Sequence, residues 1–272
     1  MASLQTKYPR HEYKTAPLIQ DKHEEHDEND SDDNLDVSGL LKSLISPTSQ
    51  SDIASIALTH TIIRQAQISN CEGIVWGDTT TRLAEKILAS TALGRGATLP
   101  WLVNDGPSPY TLPNSSTNIV FLYPMKDVLR KELEPYGQVS DITTLSTPQR
   151  AIGAVVSSKN ATIDGLMKEY FESVEKDYPS IVANVVRTSS KLRPSDEIAS
   201  QLRDDNTDYR PTSCELCGVP VASGAFGIHS WGGGSQAARS GGSSQQTIIP
   251  VDPTVVVEHR LCYGCARSTL PV

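Results

Sequence analysis

The sequence predicts an α/β layered domain with a mainly parallel sheet, followed by a module built around four cysteines. Apolar residues recur at helical spacing over residues 53–68 and 80–93, and a short apolar run at residues 73–76 separates them. Helix, short strand and helix in this order are typical of a parallel sheet covered by helices. Two CxxC pairs near the C-terminus predict the module.

The first 37 residues differ from the rest of the chain in charge. They hold four of the 24 basic and ten of the 32 acidic residues, so the net charge of −8 divides into −6 here and −2 elsewhere. A self-repelling segment with few apolar side chains cannot offset the entropy of ordering. We therefore expect residues 1–37 to be a disordered acidic tail, while the near-neutral body does not indicate a strongly basic nucleic-acid domain.

The sequence lacks the signals of secretion and of membrane insertion. Its first ten residues contain no apolar core of a signal peptide, and no window approaches the roughly 18 apolar residues of a membrane helix. We therefore expect a cytoplasmic protein with no membrane partner, in which clustered cysteines are reduced and bind metal.

The body is predicted to begin with a helix over residues 53–68, capped by Ser51 and Asp52. The apolar run at residues 73–76 is long enough only for a buried strand. We interpret Cys71, beside that strand, as a core thiol.

A second helix is predicted from residue 80 to about residue 93. Asp78 or Thr79 can cap it, and Gly94 is a stop signal. The caps lie where a strand ends and a helix begins, which is where α/β sheets bind anions and nucleotides. From the residues alone, however, an ordinary helix cap is the favoured interpretation.

The later elements follow the same alternation. Residues 119–123 predict a second strand, and Pro124 favours the first position of a helix that continues through Tyr136. Two more helices are predicted at residues 161–175 and 179–191. The first of these has its predicted apolar face at Ile163, Leu166, Met167, Tyr170 and Val174.

The pattern divides the body at a polar linker. We expect an α/β domain at residues 38–193, a linker at 194–211 and a four-cysteine metal-binding module at 212–272. A Gly/Ser-rich insertion at about residues 223–250 accounts for much of the 44-residue gap between the two CxxC pairs.

The metal ligands are predicted to be Cys214, Cys217, Cys262 and Cys265. Each pair can form a tight knuckle with both thiolates turned to one ion, and glycines beside Cys217 and Cys265 are expected to supply positive φ angles. A zinc-ribbon-like module with structural zinc is the favoured interpretation. Unrelated buried thiols, a redox pair and an iron–sulfur cluster remain alternatives.

No familiar catalytic motif occurs. The sequence contains no Walker loop, GxGxxG, HExxH or GxSxG, and its single SGG lies in the Gly/Ser insertion without a flanking strand or helix. We therefore assign no catalytic residue. The best nucleotide-site candidate is the stretch WGDTTTRLAEK, with Gly77, Asp78 and Glu85.

Residues 40–49 (LLKSLISPTS), 71–101 (CEGIVWGDTTTRLAEKILASTALGRGATLPW) and 123–133 (YPMKDVLRKEL), with CELC and LCYGC near the C-terminus, resemble the cytoplasmic tRNA 2-thiolation protein 2 family. The resemblance spans residues 38–272. It implies a fold like that of the ATP-pyrophosphatases (adenine nucleotide alpha hydrolase-like). Because no first strand, ATP loop or N-terminal cysteine motif precedes residue 38, we expect that domain to be incomplete at its N-terminus.

The resemblance also implies a function. Family members act with a catalytic paralogue, tRNA 2-thiolation protein 1, and sulfur comes from a thiocarboxylated ubiquitin-related modifier. Together they thiolate the wobble uridine of lysine, glutamine and glutamate tRNAs. Catalytic relatives read roughly GHNADDxAET where this chain keeps Gly77 and the Ala84-Glu85 pair but replaces the acidic centre. This implies a non-catalytic subunit that does not bind ATP alone.

Six basic residues on or next to the helices predicted from residues 80 and 124 are candidate contacts to tRNA phosphate: Arg82, Lys86, Arg95, Lys126, Arg130 and Lys131. The alternative for each of them is an ordinary solvent-exposed position on a helix, without any contact to RNA. Two rival functions stay open, a stand-alone ATP-dependent tRNA-adenylating sulfurtransferase and a zinc-ribbon interaction module without an RNA role.

Overall fold

A computed structural model describes residues 37–110, 119–140, 161–201, 213–222 and 260–269. These ranges contain short strands and mostly helical connections. The strands are β1 (Gly73–Val75), β2 (Gly106–Pro107) and β3 (Val120–Leu122). The helices are α1 (Val37–Ser43), α2 (Pro47–Ile68), α3 (Thr80–Ala92), α4 (Leu99–Val103), α5 (Arg130–Val139), α6 (Ile163–Asp177), α7 (Pro179–Ser189), α8 (Asp196–Gln201) and α9 (Tyr263–Thr269), and a 3-10 helix (Gly96–Thr98) precedes α4.

The sheet is small and mixed. Its strand order is β1-β3-β2, with β1 and β3 parallel and β2 antiparallel to β3. Ile74 lies opposite Phe121, whose side chain is buried, whereas Val75 is 66% exposed and Leu122 is 41% exposed. The α/β class with a parallel strand pair is therefore confirmed, but the prediction of a buried strand at residues 73–76 is wrong on one face of the sheet.

Helix α3 lies at the centre of the main core. Its Leu83 and Ala84 are completely buried in one apolar cluster with Phe121 of β3, Phe171 of α6 and Val182 of α7. Burial of this many large apolar side chains is the main favourable term in folding. The cluster therefore joins the sheet to helices that are far apart in sequence.

The N-terminus of α3 lies where the sequence predicts it. Thr79 has extended backbone angles and its Oγ1 accepts the Arg82 amide at 3.2 Å, which is the geometry of an N-cap. At the other end Gly94 adopts φ 75°, a left-handed conformation that glycine tolerates best.

Two helices begin elsewhere than predicted. α2 begins at Pro47, after Ser46, because proline is well suited to the first turn; Asp52 lies inside the helix and caps nothing. α5 begins at Arg130, because the residues after Pro124 form turns and Leu129 is still extended. Capping residues and proline mark both helix starts and turns, so neither signal is unique.

Only part of the predicted apolar face of helix α6 packs on the core: Val174 packs against the main cluster, as predicted. Leu166 and Tyr170 are about half exposed, whereas Phe171 and Glu175 are buried. α6 packs mainly against α3 and α7, so the side of the helix that carries Phe171 faces the core and the side with Tyr170 does not. Cys71 is also exposed, so its assignment as a core thiol is wrong.

Part of the predicted linker is helical. α8 lies within residues 194–211, and its Ile198 is buried. The predictions for residues 1–36, for the Gly/Ser insertion and for the rest of the linker lie outside the described residues. In the described part of the chain, no helix has both the length and the apolar character needed to cross a bilayer.

Candidate metal centre

The four predicted ligands converge. The Sγ atoms of Cys214, Cys217, Cys262 and Cys265 all lie within 4.8 Å of one another, and those of Cys217 and Cys262 are 3.7 Å apart. A tetrahedral zinc ion with bonds of about 2.3 Å holds its sulfurs about 3.8 Å apart. None of these cysteines forms a disulfide. The cluster can therefore hold a metal such as zinc, and four protein ligands leave no open position for catalysis.

The first pair forms the predicted knuckle. The chain turns between Cys214 and Cys217, where the Gly218 amide donates to the Cys214 carbonyl at 2.8 Å and the Cys214 amide donates to the Val219 carbonyl at 3.0 Å. Gly218 has φ 68°, so the expectation of a positive φ is confirmed here. These bonds are local, which is why the CxxC spacing is enough to predict them.

The second pair is different because it opens a helix. Cys262 precedes α9 and Cys265 lies in its first turn, and the Ala266 amide donates to the Cys262 carbonyl at 2.9 Å. The positive φ predicted for Gly264 is wrong. Gly264 is needed for space instead, because a Cβ atom there would lie 2.6 Å from Cγ of Arg95.

The cluster packs on the α/β body. Val219 and Val221 are buried beside the thiols, and Ile56 of α2, Trp101 of α4 and Tyr110 pack against the same group. α9 also contacts α2 directly. The four-cysteine module is therefore continuous with the body in its packing, although the sequence suggests a separate unit.

Arg95 connects the module to α2. Its Nε and Nη2 donate to the two oxygens of Asp52 at 2.8 and 2.6 Å, and its Nη1 donates to Sγ of Cys265 at 3.3 Å. Ser268 donates its hydroxyl to the same Asp52 carboxylate at 2.5 Å. Arg95 is only 8% exposed. Its guanidinium is buried against these partners, so nothing here supports the phosphate contact predicted for it, which stays a prediction.

The pKa shifts of the four cysteines differ in direction: those of Cys214 and Cys262 are lowered, whereas the hydrogen bond with Cys214 raises those of Cys217 and Cys265. Hydrogen bonds from Cys217, then Cys262 and Cys265, lower the pKa of Cys214 far below that of a free thiol. Burial alone would lower the pKa of Arg95, but the hydrogen bond to Asp52 and the negative charge of Cys265 outweigh it and raise that pKa. Arg95 is thus a permanent cation beside groups that bind metal as anions.

His60 is a further member of this region. Its Nε2 lies 3.0 Å from the Cys217 carbonyl oxygen, which requires that nitrogen to carry the proton and donate it. Its ring packs edge-on against Tyr110, and burial lowers the pKa of His60. The imidazole therefore serves as a neutral donor that holds the first knuckle.

The nucleotide-site candidate is closed by internal bonds. Asp78 pairs with Nζ of Lys86 at 2.6 Å, and Nζ of Lys86 also lies over the Trp76 ring. The Thr80 amide donates to the Val128 carbonyl and its hydroxyl donates to the Lys126 carbonyl. Together with the Thr79 cap, these bonds use the amides of Thr80 and Arg82 at the start of α3.

Glu85 is buried in an ion-pair network. It is 1% exposed, and its two carboxylate oxygens pair with Arg82 at 2.7 Å and with Arg130 at 2.9 Å. Arg130 also pairs with Glu172 of α6 at 3.0 Å. The carboxylate of Glu85 therefore ties α3 to α5. Gly77, the third residue of this candidate, is exposed.

The remaining basic candidates also have internal partners. Lys126 pairs with Asp105 at 2.8 Å, at an exposed position, and Nζ of Lys131 donates to the Glu175 carbonyl at 3.3 Å. Both lysine side chains retain access to solvent. The predictions of RNA contact at Arg82, Lys86, Lys126, Arg130 and Lys131 stay predictions.

Sequence reasoning missed Asp52, His60 and Ser268 as parts of the metal region. Asp52 looks like a helix cap in sequence, and Ser268 is one of many serines. His60 lies on the apolar side of a predicted helix, which is a weak signal of a buried partner. Only the fold shows that these side chains meet near the cysteines.

Comparisons with known proteins agree in pointing to one family. The family model described as "Cytoplasmic tRNA 2-thiolation protein 2" matches residues 162–267. A protein of that name from Pyrenophora tritici-repentis is 44% identical over 234 residues, which cover 84% of this chain and 54% of the relative. One from Ajellomyces capsulatus is 35% identical over 230 residues, covering 84% and 57%. The chain thus spans about half the length of the curated relatives it matches. No solved structure matches.

Proposed function

Because the chain belongs to the cytoplasmic tRNA 2-thiolation protein 2 family, we propose that it is a subunit of the cytoplasmic complex that 2-thiolates the wobble uridine of lysine, glutamine and glutamate tRNAs. Its partner is the catalytic paralogue, tRNA 2-thiolation protein 1, with sulfur from a thiocarboxylated ubiquitin-related modifier. The observation that carries the proposal is the sequence similarity to a curated relative of that name, which covers 84% of this chain.

We propose a non-catalytic role for this chain. In support, the amides of Thr80 and Arg82 at the start of α3 are paired with protein groups, and Glu85 is occupied by two arginines. An anion site at a helix N-terminus uses free backbone amides. The purified chain should therefore not adenylate tRNA. ATP turnover that disappears in Asp78→Ala would instead favour a stand-alone enzyme.

The α/β domain is proposed to be related in fold to the ATP-pyrophosphatases. The parallel pairing of β1 with β3, and the helix that follows β1, are consistent with that fold. We place the α/β domain at residues 38–193, the linker at 194–211 and the metal module at 212–272.

The four-cysteine cluster is proposed to bind one structural zinc ion. The chemistry of the donor set supports this, because soft thiolates at tetrahedral spacing favour zinc. Elemental analysis of protein purified without oxygen should find about one zinc per chain, and Cys214→Ser should release it. Absence of metal from the wild-type protein would contradict the assignment. A bound iron–sulfur cluster would be visible by its colour.

The function is tested in a strain that lacks the gene. Mass spectrometry of nucleosides from the three tRNAs should show loss of 2-thiouridine, restored by the wild-type gene. Normal 2-thiouridine in a strain without any second copy would reject the proposal. A chain that binds neither the paralogue nor tRNA would favour an interaction module outside RNA metabolism.

Contact with tRNA needs variants that keep the fold. Reversing the charge of Arg82 would disrupt its pair with buried Glu85, so its effect would be ambiguous. Lys126→Gln with Lys131→Gln removes charge at two side chains that reach solvent. Each lost phosphate contact should reduce the salt dependence of tRNA binding by the complex by about 0.9 in the log–log slope. Lys176→Gln, on α6, is the matched control, and an equal effect there would contradict a local contact.

A further inference from the structure

We propose that Arg95 is a positioning residue of the metal centre: its Nη1–H group donates to Sγ of Cys265, fixes the direction of that ligand and thereby sets how tightly the cluster holds its metal. This inference rests on the proposed metal binding, but it concerns a side chain outside the ligand set. The role proposed for Arg95, orientation of the Cys265 ligand, differs from the contact to tRNA phosphate that the sequence predicts.

The guanidinium is held in one orientation. Two of its nitrogens form the bidentate pair with Asp52, so the third nitrogen has little freedom to turn away from Cys265. Asp52 is itself held by the Ser268 hydroxyl from the last turn of α9, the helix that carries Cys265. Asp52 and Arg95 are both buried, so water does not compete for these bonds.

The chemistry of the contact suits a metal-bound thiolate. Four thiolates around a divalent cation carry a net charge of about −2, and a guanidinium hydrogen bond compensates part of the charge on one sulfur. A planar guanidinium can serve Asp52 and Cys265 at the same time. A lysine ammonium, a flexible point charge, cannot reproduce both directions.

The surrounding packing is specific for this arrangement. Gly264 lies against the arginine stem, and a Cβ atom there would be 2.6 Å from Cγ and 3.3 Å from Nη1. The stem therefore runs closely across the start of α9. Residue 264 must be small for Nη1 to reach the sulfur at 3.3 Å.

The test compares Arg95→Lys with Arg130→Lys in the full chain. Arg130 also pairs with a buried carboxylate, that of Glu85, and the other ion pair of its guanidinium in the described residues is with Glu172. Competition with a chromophoric chelator should show zinc affinity lower by about 10–100-fold in Arg95→Lys. Arg130→Lys should retain wild-type affinity. In cobalt-substituted protein, the sulfur-to-cobalt charge-transfer band should shift only in Arg95→Lys.

A second measurement needs no variant. In wild-type protein loaded with the NMR-active isotope of cadmium, an Arg95 Nη1 proton should show scalar coupling to the metal through the hydrogen bond. If Arg95→Lys folds, an unchanged zinc affinity together with an unshifted charge-transfer band would overturn this inference and leave the zinc assignment standing. If Arg95→Lys does not fold, absence of the proton–cadmium coupling in the wild-type protein would overturn it in the same way. A wild-type protein without any metal would overturn it together with the zinc assignment, while the tRNA assay would still test the proposed function.

Discussion

The buried pair between Asp52 and Arg95 can be tested by the substitution Asp52→Asn. The change keeps the shape of the side chain and removes its charge. The guanidinium of Arg95 then remains buried with no carboxylate to balance it. The two side chains of the pair are 5% and 8% exposed, so solvent cannot replace the lost partner.

The expected cost follows from this burial. Removing one partner of a buried ion pair typically destabilises a protein by about 3–5 kcal/mol, because the other charge is left uncompensated. The pair of Asp105 with Lys126 has a similar distance, 2.8 Å against 2.6 Å, but its side chains are 45% and 33% exposed. Asp105→Asn should therefore cost only about 0–1 kcal/mol.

The assay is urea unfolding of both variants and the wild type at one fixed zinc concentration. Zinc must be held constant because a ligand of the folded state raises the apparent free energy of unfolding. The free energy should fall by several kcal/mol for Asp52→Asn and hardly change for Asp105→Asn. Equal losses in the two variants, or a loss below 1 kcal/mol for Asp52→Asn, would refute the argument that burial decides the strength of this pair.

Two further substitutions test packing and hydrogen bonding. Gly264→Ala places a methyl group 2.6 Å from the stem of Arg95, so it should lower the free energy of unfolding by about 1–3 kcal/mol and weaken zinc retention. Thermal unfolding and chelator competition measure the two effects. Wild-type values in both assays would contradict the close approach. Thr81→Val removes the hydroxyl that donates to the buried carboxylate of Glu175 at 3.0 Å and accepts the Arg130 amide at 3.0 Å, and a loss of about 1.5–3 kcal/mol is expected in urea. Thr91→Val, whose hydroxyl bonds only within its own helix, should cost less than half as much, and the reverse order would show that the Glu175 contact is unimportant.

The elements that the sequence predicts well are those with local causes. α3 follows from its apolar spacing and its Thr79 cap, and the knuckle at Cys214 follows from the CxxC spacing and Gly218. Both depend on residues only a few positions apart. The convergence of the two cysteine pairs is also predictable, because four thiols at such spacing satisfy one ion together.

The elements that it does not predict depend on distant partners. Asp52 resembles an N-cap, and nothing nearby shows that its partner is Arg95, 43 positions later. Arg95 in turn resembles a surface cation, because the sequence does not show that α9 covers it. The predictions for Cys71 and for part of the apolar face of α6 fail for the same reason, because packing against distant residues decides which side chains are buried.

The contact between Ser268 and Asp52 joins residues that are 216 positions apart in the chain. At the usual synthesis rate of about 5–20 residues per second, Ser268 leaves the ribosome roughly 10–40 s after Asp52, whereas Arg95 follows Asp52 within about 10 s. The ion pair can therefore form early, on a nascent chain, before any of the four cysteine ligands has been synthesised. Closure of the four-cysteine cluster comes only after nearly all of this sequence has been translated. A chain that stops short of Cys262 would lack α9, and with it the Cys265 and Ser268 side chains that contact the pair of Arg95 and Asp52.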